Sequence, residues 1–246
     1  MRFIIAHGAT RMQEDYFTPL LHGYQDVYNF MKQCLHNDIY EIAHAQRVVC
    51  NSLRILDGEK NADAHVVILA ALLHDIGWGE DTEDHAVAGS KTAYAFLRAG
   101  GYPERVAAHV RDCILTHRYK TTARPESNEA KIVFDADKLD LMGAVGAARA
   151  IEHAVREGEP FYAVQADGLP GSGKKGEPPS LLREYRKKLR KLPDILYMPT
   201  SRVLAAQIRR AQKTFFADLA READLTYAEG ARLLALHAAS VPPPLV

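Results

Sequence analysis

The sequence predicts an all-α protein. Apolar residues recur with a period near 3.6 residues along almost the whole chain, and no convincing run alternates apolar and polar residues as a half-buried strand would. Turn-forming residues also fall between the periodic segments, at Asp57-Gly58, Gly77 and Gly79, Gly100-Gly101, Pro125, Gly158 with Pro160, and Pro193. Taken in order, the candidate helices span about 15–36, 38–57, 63–75, 84–100 and 103–117 in the first half of the chain. The third holds the run Val66–Leu73, whose Val-Val-Ile stretch suits a buried strand, but its Ala and Leu content and helical neighbours favour a buried helix. The second half continues with 126–135, 137–158, 180–192, 199–223 and 226–238. Asp137 is expected to open the helix 137–158, with an apolar stripe of Leu141, Ala144, Ala148, Ile151 and Val155 behind it.

Composition limits what such a bundle can do. The 246 residues carry 31 Lys+Arg and 31 Asp+Glu, so net charge gives no case for a dedicated nucleic-acid or anionic-membrane binder. Hydrophobic residues at 47% and charged residues at 25% suit a folded chain with a sizeable core, not a disordered one. The three cysteines, Cys34, Cys50 and Cys113, form no C-x-x-C pair, so they read as buried apolar residues in a reducing compartment. The apolar run Phe3–Ala6 is too short for a signal peptide, and Val66–Leu73 is far too short to span a bilayer. The chain reads as cytoplasmic.

One stretch breaks the helical rhythm. Residues 168–179 are rich in Gly and Pro and are expected to form a flexible loop, ahead of a helix (180–191) with six basic residues and one acidic. That helix reads as a solvated face, or as a strip attracting a phosphorylated substrate. The segment Gly168–Lys175 nearly spells a phosphate-cradling loop, but Lys175 stands where a magnesium-holding hydroxyl is required, and Pro178-Pro179 follows in place of a helix. A nucleotide-binding loop is therefore not expected.

Eleven histidines are the stronger hint of chemistry. His74-Asp75 ends the apolar helix, directly before a glycine able to stop it. His117 ends the stripe Val110, Ile114; His85 leads the face of Gly89, Thr92 and Phe96; His44 lies at the margin of an apolar face. A buried carboxylate such as Asp137 is costly unless paired or metal-bound. Imidazole and carboxylate groups gathered inside a bundle suit divalent metals, although each residue alone reads as a satisfied core or surface group.

The ordered set His44, His74-Asp75 and Asp137 resembles the H…HD…D pattern of the HD-domain metal-dependent phosphohydrolases. The likeness extends to His44 through Val48, Leu72 through Gly77, His85 through Ser90, Ile114 through His117, and Ala136 through Ala144. The segments Tyr185–Leu189 and Ser201–Glu222 look like C-terminal helices of a bacterial branch of uncharacterised HD hydrolases, so the resemblance covers about residues 20–225. It implies an N-terminal arm at 1–14, a metal-binding helical core at 15–160, the loop at 161–179, and helices at 180–246 packed on the same domain. It also implies one divalent ion (Mn, Fe, Co, Ni, Zn or Mg) on His44, His74, Asp75 and Asp137. Some branches hold a second through two further histidines, with the HD aspartate bridging, and His85 and His117 stand in those places. One metal and two both stay open.

The implied activity is hydrolysis of a small phosphorylated, nucleotide-like substrate by a metal-activated water. Asp75 would serve that chemistry directly. Trp78 occupies the place where other branches carry a glutamate, so Glu80, beside Asp81, is the candidate general base, with a solvated turn as its plainer reading. Lys138 and Arg118 are candidate phosphate contacts, and Arg47 a third; each could instead be an ion-pair partner, as Lys138 or Arg47 to Asp140. Two other classes remain: a di-iron oxygenase, as in other HD branches, and a non-catalytic ligand-sensing module that keeps its metal.

Overall fold

The computed structural model describes residue 17 and residues 21–78, 84–118 and 123–238. The order is α1 (Gln25–Cys34), α2 (Ile39–Gly58), α3 (Ala64–Leu73), α4 (His85–Ala99), α5 (Glu104–Leu115), α6 (Asn128–Asp140), α7 (Gly143–Arg156), α8 (Leu181–Lys187), α9 (Pro199–Asp224) and α10 (Gly230–Ala238). Among the described residues the only extended pairing is one isolated antiparallel bridge, Val164 with Pro170. The all-α expectation holds. The arm expected at 1–14 lies outside the described residues.

Helix α3 forms the axis because its sequence leaves no polar face. Val66, Val67, Leu69, Ala70, Ala71, Leu72 and Leu73 are all buried, and α1, α2, α5 and α6 pack around them. A helix apolar on every side is stable only inside a core. Its start is set by Asp63, whose side chain accepts the amides of His65 and Val66; Asp38, Asp84, Ser127 and Ser180 cap α2, α4, α6 and α8 in the same way. Among the described residues no helix is long and apolar enough to cross a membrane.

The break between α6 and α7 corrects the sequence reading. Asp137 does not open a helix; it sits in the last turn of α6, which runs on to Asp140. The chain turns at Leu141-Met142 and restarts at Gly143, whose φ is +68°. Two contacts from α9 hold the turn: Gln212 donates to the Leu141 carbonyl at 2.9 Å, and Ile208 lies 3.2 Å from where a Cβ on Gly143 would sit. The expected stripe is not the core face either: Ala144, Ala148 and Val155 are exposed, Leu141 and Ile151 half-buried, and the buried face of α7 is Gly143, Gly146, Ala147 and Ala154. Further on, the expected helix 180–192 is α8 followed by a 3₁₀ segment, Leu189–Ile195, which contains Pro193. The last two expected helices are joined by a π-helical turn at Leu225–Glu229 rather than separated.

Candidate metal centre

Five segments deliver the histidines and aspartates to one place. His44 comes from the buried face of α2. His74 caps the end of α3, with Asp75 in the turn beyond it. His85 is the first residue of α4, and His117 lies just past the C-cap of α5. Asp137 comes from the last turn of α6. The approach of α4 depends on two glycines: a Cβ on Gly77 would lie 2.2 Å from the His85 carbonyl oxygen, and one on Gly89 would lie 2.9 Å from the Gly77 nitrogen.

Asp75 stands in the middle of this arrangement. Its Oδ2 lies 3.2 Å from His74 Nε2 and 3.4 Å from His44 Nε2. Its Oδ1 lies 3.2 Å from His117 Nε2 and 3.4 Å from His85 Nε2. The ligand atoms of His44, His74 and Asp75 form one group within 4.8 Å of one another, and those of Asp75, His85 and His117 form a second. Asp137 Oδ1 adds a carboxylate 3.5 Å from His44 Nε2.

The outward-facing ring nitrogens are tied down. His44 Nδ1 donates to Asp140 Oδ2 at 2.8 Å, His74 Nδ1 to the Ala71 carbonyl at 2.8 Å, and His117 Nδ1 to the Ile114 carbonyl at 2.6 Å. Such bonds select the tautomer whose Nε2 lone pair points inward, as metal-ligating histidines require. His44 and His74 bring their Nε2 atoms within 3.1 Å of each other, which is repulsive unless a proton or cation lies between. The donor set therefore fits divalent ions that accept both nitrogen and oxygen.

The electrostatics follow from crowding charge in a dry place. Burial opposes charge on His74, but Asp75 and Asp137 overcome it and push its pKa up to about 9. In His117 burial wins, and the pKa falls below the usual imidazole range. Burial also works against the Asp75 and Asp137 carboxylates, yet the surrounding His74, His117 and His44 hold Asp75 well below its ordinary value. Lys138, then His44 and His74, do the same for Asp137.

The remaining expected residues divide. Lys138 Nζ bonds Asp137 Oδ2 and the His117 carbonyl and lies 4.7 Å above the Phe134 ring, so it belongs to the cluster. Arg47 pairs with Asp140 through Nε at 2.6 Å and a terminal nitrogen at 3.0 Å, one of the two partners foreseen for that aspartate. Arg118 bonds Asp84, the cap of α4, at 2.8 Å, which leaves it at the rim. Glu80 and Asp81 lie outside the described residues. Trp78 packs against His85 with ring centroids 4.8 Å apart.

Arg149 was not anticipated. Its guanidinium reaches from α7 to within 2.9 Å of both Asp140 Oδ2 and His44 Nδ1. A lone arginine among the small residues Gly143–Ala150 was the available signal. In the loop, Glu177 takes the amides of Ser172 and Gly173 and the Ser172 hydroxyl. Amides that could cradle a phosphate are thus already occupied by a carboxylate.

An HD-domain family model matches residues 42–142, which contain every member of the cluster. The chain is also 31% identical over 182 residues to the uncharacterised protein YpgQ of Bacillus subtilis, an alignment covering 73% of this chain and 82% of YpgQ. The chain belongs to the HD-domain family. Solved structures of HD proteins share its fold. That of B. subtilis YpgQ in complex with ADP superposes with a TM-score of 0.64 at 27% identity, covering 83% of this chain and 96% of YpgQ. An HD-superfamily hydrolase of Bacillus thuringiensis superposes with a TM-score of 0.62 at 25% identity, covering 82% and 96% of the two chains. This HD protein therefore has the hydrolase fold of its superfamily, with His/Asp clusters able to hold metal.

Proposed function

We propose that this HD protein is a metal-dependent phosphohydrolase, cleaving a phosphomonoester or phosphodiester of a nucleotide-like molecule. The observation that carries the reading is the position of Asp75, whose two oxygens face two separate histidine pairs. His44, His74, Asp75 and Asp137 would hold one divalent ion, and Asp75, His85 and His117 a second. Bound there, such ions supply a water that is nucleophilic near neutral pH and neutralise charge on phosphoryl oxygens. The chain's own contribution is positional. Lys138, steadied by Asp137 and the His117 carbonyl, is a cation within the cluster and would meet a phosphoryl oxygen. The bonds at Nδ1 of His44, His74 and His117 keep the rings from turning as charge develops. The ADP complex of YpgQ supports a nucleotide-like substrate.

The test is a panel of phosphomonoesters and phosphodiesters, run on metal-analysed protein with Mn, Fe, Co, Ni, Zn or Mg added separately. Turnover with at least one metal, abolished in Asp75→Ala with metal content well below one per chain, is the expected result. A fully loaded protein that turns over nothing in the panel would overturn it. Oxygen consumption by the ferrous protein would move it to the oxygenase class.

A further inference from the structure

A cavity of about 320 Å³ lies beside the cluster rather than in it. Among the described residues three guanidinium groups line it, from Arg118, Arg124 and Arg202, against one lining carboxylate, Asp194; with Asp84, the ion-pair partner of Arg118, counted as well, one net positive charge remains. Two of the three are fixed. Arg118 is held by Asp84 at 2.8 Å, and Arg202 gives two of its nitrogens to the Leu196 carbonyl at 3.1 and 2.9 Å. Cations already ordered lose little freedom when an anion arrives.

The rest of the lining is apolar or aromatic, including Pro125, Ile195 and Tyr197. Phe134 closes the wall toward the cluster: the Tyr197 ring meets it edge-on at 5.2 Å, and Lys138 Nζ sits above it. We propose that this cavity binds a small phosphomonoester, its phosphate on the guanidinium groups and its organic part against Pro125 and Tyr197. Three features select that ligand. A phosphomonoester carries a charge of about −1.5 to −2 near neutral pH, which an excess of guanidinium over carboxylate on the wall favours over a neutral ligand. Planar guanidinium forks pair with phosphate oxygens better than ammonium groups do. The volume falls at the small end of ligand pockets and leaves room for an organic substituent. Arg118, expected from the sequence to meet a phosphate, would meet it here, one residue beyond His117.

The inference stands apart from the hydrolysis reading, so it is tested without metal. Chelator-stripped protein is titrated with phenyl phosphate by calorimetry, under conditions where no metal-dependent turnover can consume the probe. One equivalent should bind the wild type, and inorganic phosphate should bind more weakly. Arg124→Glu, at an exposed side chain, should weaken phenyl phosphate at least tenfold while the thermal midpoint and helical circular dichroism hold. Arg124→Ala should give a smaller loss. Absence of saturable binding to the stripped wild type, or equal affinity in Arg124→Glu, would overturn the site, whatever the metal-loaded protein hydrolyses.

Discussion

Asp140 accepts the Nδ1 proton of His44 at 2.8 Å while receiving guanidinium nitrogens from both Arg47 and Arg149. One buried carboxylate thus orients a candidate metal ligand and ties α2 and α7 to the end of α6. Burial disfavours its charge, but His44, Arg47 and Arg149 outweigh that and lower its pKa to about 2. Asp140→Ala should weaken metal binding by roughly 10- to 100-fold. It should also cost about 2 kcal/mol of stability, since the two guanidiniums lose a partner but remain partly exposed. Metal titration and urea unfolding measure the two effects separately, and unchanged metal affinity would show that His44 needs no such support.

Removing single histidines should separate the two halves of the cluster. Wild-type protein is expected to carry two metals per chain by elemental analysis. His117→Ala should fall toward one, leaving the ion on His44, His74, Asp75 and Asp137, and His85→Ala should behave alike. One metal in fully active wild-type protein would decide against a second site.

The crossing of Gly77 with the start of α4 should be as sensitive as a ligand. Gly77→Ala places a methyl group against backbone atoms of His85 and Gly89, which cannot swing aside. The expected cost is roughly 1–3 kcal/mol, together with movement of His85 away from Asp75. Trp78 is the only tryptophan in the chain and packs on His85, so its fluorescence should shift in this variant. An unchanged spectrum with full metal loading would mean that α4 absorbs the methyl group without displacing His85.

Acid should loosen the loop at 172–177 before it touches the core. Partial burial opposes charge on Glu177, but the Gly173 amide and the Ser172 hydroxyl and amide hold its pKa below the usual glutamate value. A carboxyl depressed in the folded state adds stability above its unfolded pKa and loses it as the pH falls through the folded one. Amide exchange at Ser172 and Gly173 should therefore quicken as the pH drops through that window. Glu177→Gln should exchange fast throughout, and protection that ignores pH would show that the amides are shielded by something else.

The helices and most of the cluster were legible because both are written locally. Apolar period marks α2, α4 and α5, an unbroken apolar run marks α3, and His74, Asp75, His85 and His117 lie at helix ends where a turn signal adjoins an apolar segment. Asp137 does lie beside His44, but it was given the wrong end of a helix. The α6–α7 break is held by Gln212 and Ile208, about seventy residues further along the chain, and nothing between Asp137 and Gly143 announces those contacts. Arg149 escaped notice because of that break: Asp140 is only nine residues earlier, but it lies across the α6–α7 turn, whereas the expected helix 137–158 put both on one straight helix.

Asp75 has both oxygens engaged, and this sets how the site can change over evolutionary time. An amide in its place would keep one acceptor and turn an N–H group toward the other two rings. A glutamate would carry its carboxylate beyond the spot where the four Nε2 atoms converge. The histidine pairs come from four separate segments, yet they meet through three atoms of one side chain. If two ions are held there, the centre has no redundancy: drift at this position would disable both halves at once, whereas drift at any single histidine would leave the opposite pair standing.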